Sequence, residues 1–235
     1  MMKGTTVLLT NDDGIDAPGL DALATAAERI FDEVWIVAPA EQASQIGHRV
    51  TTDEPLRAVE HGTRRFSVAG TPADCSRVAL KHLLPREPDW VFSGVNHGGN
   101  LGRHDFAISG TVAAVREAAF HGVRGVAFSH YLRRDRDMRW EAVATEVARV
   151  FSRIADEELD SGEFWNVNFP HVGPQERSPD VVFCEQERQP LEVIFEPSDC
   201  GGLHYRGRYH ERPREADTDV AVCFGGDIAV SRVTI

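Results

Sequence analysis

Several features typical of membrane, secreted or metal-cluster proteins are missing from this 235-residue chain. It has no run of 18 or more apolar residues, so no segment is predicted to span a membrane as a helix. Its first residues lead directly into a strand pattern, and we expect no signal peptide there. The chain has four cysteines without C-x-x-C spacing, which we predict to be reduced: Cys75, Cys184, Cys200 and Cys223. We therefore expect a cytoplasmic protein.

Positive charge is also scarce. Lys3 and Lys81 are the only lysines, and the formal net charge is −12. This excess of negative charge argues against a nucleic-acid duplex or an anionic membrane as the main partner. It does not exclude a small phosphate ligand, because a bound metal and backbone amides can reverse the field locally.

Strand and helix patterns alternate through the first two thirds of the chain. Short apolar runs typical of buried parallel strands begin at Val7, Val34, Trp90, Val126 and Phe164. Helical patterns begin at Pro18, Thr71, Thr111 and Trp140. This alternation predicts an α/β fold with a mostly parallel sheet and helices on both faces. We expect one domain, residues 1–235, with an α/β core over 1–170 and an irregular β-rich extension over 171–235.

The first apolar run ends in Asn11-Asp12-Asp13-Gly14, the most informative junction of the chain. Two adjacent carboxylates at the end of a buried strand repel each other, and a bound cation relieves that repulsion. Oxygen ligands of this kind suit Mg²⁺, Mn²⁺ or Ca²⁺. The alternative is that the two acids cap the following helix or shape the turn. This dipeptide alone does not decide between the two readings.

Polar side chains follow the other predicted strands as well. The second strand leads into a loop that contains Ser44, and the third leads into a glycine-rich loop with Asn96 and Asn100. A later strand ends in Ser129 and His130. Because ligands of open parallel sheets bind beyond the carboxyl ends of the strands, we expect these side chains to share one edge with Asp12 and Asp13.

The segment Ser109-Gly110-Thr111 precedes a helical pattern. Helix N-termini carry unpaired amide N–H groups and partial positive charge. A glycine that permits close approach, flanked by two hydroxyls, is a plausible phosphate-binding site. The alternative is an ordinary Ser or Thr helix cap. Opposite a carboxylate pair, the first reading predicts a metal and an anion held together, as in phosphoryl transfer.

Five motifs, in their order along the chain, carry a family resemblance. They are TNDDGIDAPGL from residue 10, AP at 38–39 with Ser44, GTPADC from residue 70, SGVNHGGNLG from residue 93 and SGTVAA from residue 109. Together they resemble the SurE family, the stationary-phase survival proteins, which are metal-dependent 5′/3′-nucleotidases. The similarity runs from about Val7 to Ser129 and resumes at 166–170.

The resemblance implies a Rossmann-like three-layer fold whose C-terminal β extension serves in a homodimer or homotetramer. The implied activity is hydrolysis of nucleoside 5′- or 3′-monophosphates to nucleoside and phosphate by metal-activated water. The implied cofactor is one divalent cation per subunit, Mg²⁺ or Mn²⁺. The implied metal ligands are Asp12, Asp13, Ser44 and Asn96, of which Asp12 and Asp13 are also catalytic. The implied phosphate-binding residues are Asn100, Ser109, Gly110 and Thr111.

Two parts of the chain depart from the family pattern. Gln45 stands where many members have glycine, and the segment 103–108 is one residue longer, with Ile108 where an aromatic is common.

Other families fit the sequence less well. A haloacid-dehalogenase-type phosphatase would need an aspartate nucleophile at Asn11. A receiver domain would need a lysine beyond Lys81. A non-catalytic protein that binds metal and nucleotide on the same scaffold is the alternative function.

Overall fold

The computed structural model describes residues 2–173, 176–198 and 201–235. Its strands are β1 (Met2–Thr10), β2 (Phe31–Pro39), β3 (Ala58–Gly62), β4 (Arg65–Val68), β5 (Trp90–His97), β6 (Arg124–His130), β7 (Glu163–Phe169), β8 (Val181–Phe183), β9 (Phe195–Pro197), β10 (Leu203–Tyr205) and β11 (Ile228–Thr234). Its α-helices are α1 (Pro18–Ala27), α2 (Pro72–Val78), α3 (Gly102–Ile108), α4 (Gly110–Phe120), α5 (Trp140–Ile154) and α6 (Asp219–Phe224).

Nine of these strands form one sheet in the order β3-β4-β2-β1-β5-β6-β7-β11-β8. The central pairs from β4 to β7 are parallel, whereas β3 pairs antiparallel with β4 and β11 pairs antiparallel with β7. The predicted α/β class with a mostly parallel sheet is confirmed. The carboxyl ends of β1, β5 and β6 are neighbours at one edge of the sheet, and the order of these strands puts the candidate site there.

Helices cover both faces of the sheet. Because successive side chains of a strand point to opposite faces, a single strand packs against helices on both sides. Val7 and Leu9 of β1 pack in one buried cluster with α1 and α5. Leu8, between them, packs in a second cluster that contains Cys75 of α2 and Ala118 of α4. The fully apolar run of β1 is therefore the signature of a strand buried on both faces.

Local signals predicted the helix starts. Helix α1 begins at Pro18 and helix α5 begins at Trp140, as predicted. A capping box opens α2: the Thr71 hydroxyl accepts the Asp74 amide at 3.1 Å, and the Asp74 carboxylate accepts the Thr71 amide at 3.0 Å. The α-helix ends at Val78, earlier than the sequence suggested, and a π-helical turn continues the chain over 79–83.

The C-terminal region is more regular than the prediction of an irregular β extension. Strands β11 and β8 belong to the main sheet, and the helix α6, which the sequence analysis missed, packs beside β11. Among the described residues of this region, β9 and β10 form a separate two-stranded antiparallel sheet. The periodicity of a six-residue helix is too short to stand out in a proline-rich segment.

Two further sequence predictions concern cysteines and membrane spans. Cys75, Cys184 and Cys223 are free, and Cys200 lies outside the described residues. Among the helices of the described ranges, none is long and apolar enough to cross a bilayer.

Candidate active site

A tight turn carries the acidic pair beyond the end of β1. The side-chain NH₂ group of Asn11 donates to the Gly14 carbonyl at 2.8 Å, and the Gly14 backbone N–H donates to the Asn11 side-chain oxygen at 3.2 Å. Gly14 has φ of 104°, which side chains other than glycine rarely adopt. The turn is therefore fixed by Asn11 and Gly14, which leaves Asp12 and Asp13 available for other contacts.

Asp12 is a buried carboxyl whose side-chain hydrogen-bond partner is Thr111. Its side chain is 3% exposed, and its Oδ1 accepts a 2.6 Å hydrogen bond from the Thr111 hydroxyl. Burial raises its pKa from 3.8 to about 6, the hydrogen bond from Thr111 lowers the pKa, and the charge of Asp13 raises it. Asp12 is thus a carboxylate whose ionised form lacks sufficient stabilisation from the protein alone.

Replacing Thr111 with Val is expected to raise the pKa of Asp12 in the metal-free protein above about 6, because the hydroxyl favours the ionised carboxylate. A pH titration of the Asp12 carboxyl carbon by NMR measures this. Thr111→Ser keeps the hydroxyl and is the control. A Val variant that titrates as the wild type does would show that the hydrogen bond contributes nothing to the ionisation.

Asp13 is half-buried and ties the end of β1 to the end of β5. Its Oδ2 accepts a hydrogen bond of 3.0 Å from the His97 amide. Next to His97, the Asn96 side chain donates through its NH₂ group to the Gly98 carbonyl at 2.8 Å. This bond orients the Asn96 amide group and leaves its carbonyl oxygen as the atom that can act as a ligand.

The loop after β2 brings Ser44 to the same place. The Ala43 amide donates to the Asp12 carbonyl at 2.7 Å, and the Gln42 side chain donates to the Ser44 hydroxyl oxygen at 2.8 Å. Gln45 has φ of 55°, in the left-handed region that favours glycine. The glycine of many family members at this position therefore matches the backbone conformation that Gln45 adopts here.

The start of α4 lies against the acidic pair. Ser109 is the N-cap, and its hydroxyl oxygen accepts the Val112 amide at 3.1 Å. A Cβ on Gly110 would lie 2.9 Å from the Asp12 Cβ and 3.1 Å from Asp12 Oδ2. Only glycine lets the helix N-terminus approach the carboxylate this closely.

Asn100 is held from several directions at the end of the glycine-rich loop. Its amide donates to the Asn168 side chain at 2.8 Å, and its side-chain NH₂ donates to the Ser129 hydroxyl at 2.7 Å. The Asn166 side chain donates to its carbonyl at 3.0 Å. Polar residues at the ends of β6 and β7 therefore position this loop.

Six of the predicted site residues line one cavity of about 610 Å³: Asp12, Asp13, Ser44, Asn96, Asn100 and Ser109. The other two, Gly110 and Thr111, are buried behind this surface, where the Thr111 hydroxyl is engaged by Asp12. The structure thus brings the predicted residues together and gives Thr111 a direct contact with Asp12.

Sequence reasoning missed several residues that also line the cavity: Asp105, Leu191, Val193, Tyr205 and Tyr209. Helix α3 was expected to be loop, and nothing in the sequence links the hairpin segment to the site. His97 at the end of β5 and His104 of α3 line the cavity as well. His130 does not: it is buried, and burial lowers its pKa to about 4.

The donor set fits a hard divalent cation. Two carboxylates, a hydroxyl and an amide oxygen are the ligands that Mg²⁺, Mn²⁺ and Ca²⁺ take in proteins. The buried Asp12, with its raised pKa, gains most from a nearby positive charge. Over the described ranges, no cluster of three or more His, Cys, Asp and Glu side chains suits a metal, so any site here depends on the neutral oxygen donors as well.

Comparisons with known proteins show the family of this chain. The family model of the survival protein SurE matches residues 7–192. A protein of Synechocystis sp. is 44% identical over 97% of this chain and 99% of its own length. The 5′-nucleotidase SurE of Brucella canis is 36% identical over 96% of this chain and 90% of its own.

A solved structure extends the agreement to three dimensions. The crystal structure of the SurE protein from Aquifex aeolicus superposes with a TM-score of 0.83 at 30% identity and covers 97% of this chain and 93% of its own. A family model that spans most of the chain and relatives that align along nearly all of it establish that this chain belongs to the SurE family.

Proposed function

We propose that this protein is a metal-dependent phosphomonoesterase that hydrolyses nucleoside 5′- or 3′-monophosphates to nucleoside and phosphate. The observation that carries the proposal is one cavity lined by two carboxylates, Ser44 and Asn96 together with the N-cap of α4. The name 5′-nucleotidase SurE, printed for relatives such as that of Brucella canis, supports the substrate class.

Asp12, Asp13, Ser44 and Asn96 would hold one divalent cation, Mg²⁺ or Mn²⁺. When bound, such an ion polarises the phosphate and makes water more acidic. Asp12 would serve mainly as a ligand, because it is buried and its Oδ1 is already bonded to Thr111. Asp13 is more accessible and is oriented by the His97 amide. Its carboxylate is therefore the better group to orient the attacking water and accept its proton.

The phosphate would bind against the start of α4. The amides of Gly110 and Thr111 precede the Val112 amide, which the Ser109 cap already satisfies. The Thr111 amide also donates to Asp12, so it would act on the phosphate mainly through the positive end of the helix dipole, which favours an anion at this point. The Ser109 hydroxyl can donate its own proton to a phosphate oxygen while it accepts from Val112. Asn100, fixed by Ser129 and Asn168, would complete the phosphate contacts.

The proposal extends to the assembly and the location of the protein. We propose a single domain over 1–235 that forms a homodimer or homotetramer through its C-terminal region. The edge strand β8 exposes Phe183, which supports a contact surface there. A cytoplasmic location would fit the three free cysteines.

A phosphate-release assay tests the activity. With adenosine 5′-monophosphate as substrate, we expect release in the presence of Mg²⁺ or Mn²⁺, loss of release with EDTA, and recovery on readdition of metal. Calorimetric titration of Mn²⁺ into the same protein is the accompanying control. A protein that binds Mn²⁺ and the nucleotide but releases no phosphate would be the non-catalytic alternative, and the proposed function would then be wrong.

A further inference from the structure

The cavity is lined by two chemically different sets of residues. One set is the oxygen-bearing side chains of the proposed metal and phosphate sites. The other set, here called the apolar wall, is composed of Ile108, Leu191, Val193, Tyr205 and Tyr209. A phosphate group and its cation would use only the first set. The apolar wall calls for a ligand that carries a flat, weakly polar group beyond its phosphate.

The outer part of the apolar wall comes from the hairpin β9–β10 and the residues before it. Tyr205 pairs with Phe195 across the hairpin, and the two rings are 5.8 Å apart on the same face. Val193 and Tyr205 are 59% and 54% exposed, so both have surface free to meet a ligand. Phe195 shares the face with Tyr205 but does not line the cavity.

Hydrogen bonds fix the apolar wall relative to the core. The Leu191 amide donates to His104 Nδ1 of α3 at 3.3 Å, and the Arg103 amide donates to the Glu187 carbonyl at 2.9 Å. The Asp219 carboxylate accepts the amides of Gly102 at 2.7 Å and of Glu187 at 2.8 Å. Helix α3 and the segment that leads to the hairpin therefore form one connected structure beside the site.

The ring of Tyr205 is also held in place. Its hydroxyl donates to the Glu192 carbonyl at 3.5 Å, and a Cβ on Gly207 would lie 2.0 Å from that hydroxyl oxygen. Gly207 is thus required for the ring to lie where it does. An aromatic ring that lines a cavity offers a stacking surface, and proteins bind nucleobases by stacking them on such rings without base-specific hydrogen bonds.

We propose that Tyr205, supported by Val193, stacks on the nucleobase of the substrate and makes the enzyme select nucleotides over other phosphomonoesters. This inference rests on the proposed function and assigns the residues that recognise the nucleoside. The match to the family model ends at residue 192, so both residues lie in the part of this chain that the family pattern does not describe.

Paired substrates and matched variants test the assignment. For Tyr205→Ala, kcat/KM for adenosine 5′-monophosphate is expected to fall about tenfold, mainly through KM, because stacking on one base contributes on the order of a tenfold or greater affinity. For ribose 5-phosphate, which has no base, kcat/KM is expected to change less than about twofold. Tyr205→Phe should restore selectivity. Phe195→Ala, on the same hairpin face but outside the cavity, should leave both substrates unaffected.

Two results would overturn the inference: an equal loss for both substrates in Tyr205→Ala, or the same selective loss in Phe195→Ala. Calorimetric binding of adenosine separates it from the proposed function, because it requires neither phosphate nor turnover. If the wild type bound adenosine, Tyr205→Ala did not, and no variant released phosphate, the apolar wall would stand and the proposed function would fall. Equal adenosine affinity in both proteins would refute the apolar wall whatever the turnover.

Discussion

The Asp12→Asn variant is expected to lose phosphate release by orders of magnitude and yet to unfold, without metal, at a higher denaturant concentration than the wild type. Burial raises the pKa of Asp12 from 3.8 to about 6. At pH 7.5, where the carboxyl is ionised in both states, this shift destabilises the folded protein relative to the unfolded chain by about 3 kcal/mol. Asparagine removes that cost while its oxygen can still accept the Thr111 hydroxyl, whereas the proposed metal loses a charged ligand.

The pH dependence gives this prediction a sign. A carboxyl whose pKa is higher in the folded protein than in the unfolded chain stabilises the folded protein only while it is protonated. That contribution is fully present below the unfolded pKa of 3.8 and is lost as the pH rises through about 6. The stability gain of Asp12→Asn should therefore be largest above pH 7 and vanish near pH 4. Urea unfolding in EDTA at several pH values measures it. With saturating Mn²⁺ the order should reverse, because the ion stabilises the protein that binds it more tightly.

Asp13→Asn is the matched control for this experiment. It should also lose turnover. Its stability in EDTA should rise much less than that of Asp12→Asn, because it removes only the charge repulsion from Asp13, whereas burial is the largest cause of the raised Asp12 pKa. If Asp12→Asn were no more stable than the wild type at pH 7.5 in EDTA, the carboxyl would not be strained by burial. If it kept full turnover, Asp12 would not be a ligand of the catalytic ion.

Gly19→Ala is expected to be strongly destabilising. The added Cβ would lie 2.0 Å from the Val95 carbonyl oxygen and 3.1 Å from the Trp140 ring. A clash with the backbone of a central strand cannot be relieved by a rotamer change, so we expect a loss of about 3 kcal/mol in the free energy of unfolding. This is net of roughly 1 kcal/mol that alanine gains over glycine in a helix.

The same substitution should affect the site, because Val95 precedes Asn96 on β5. We expect weaker Mn²⁺ binding as well as a lower urea midpoint, each measurable on the purified variant. Gly173→Ala is a suitable control, since its Cβ would meet no atom closer than 3.7 Å. A Gly19→Ala protein with the wild-type midpoint would mean that α1 and β5 do not approach each other as described.

Short-range patterns were the most predictable part of this protein. The capping box of Thr71 and Asp74 and the start of α1 at Pro18 follow from interactions within four residues, which the sequence displays directly. The helix α3 was missed because it has seven residues, no side-chain cap and a glycine at its first position. The apolar wall was missed because Tyr205 is distant from the site residues in sequence and comes close to them only in the folded chain.

The amino-acid sequence determined the class of fold and the acidic pair at the carboxyl end of β1, because strands and their ends follow from hydrophobic runs and turns. The tertiary structure alone decided how those acids behave. Thr111 lies 99 residues from Asp12 in sequence and is its hydrogen-bond partner in space, and it is burial that raises the Asp12 pKa. Charge state depends on surroundings, and the surroundings of a buried side chain come from distant segments of the chain.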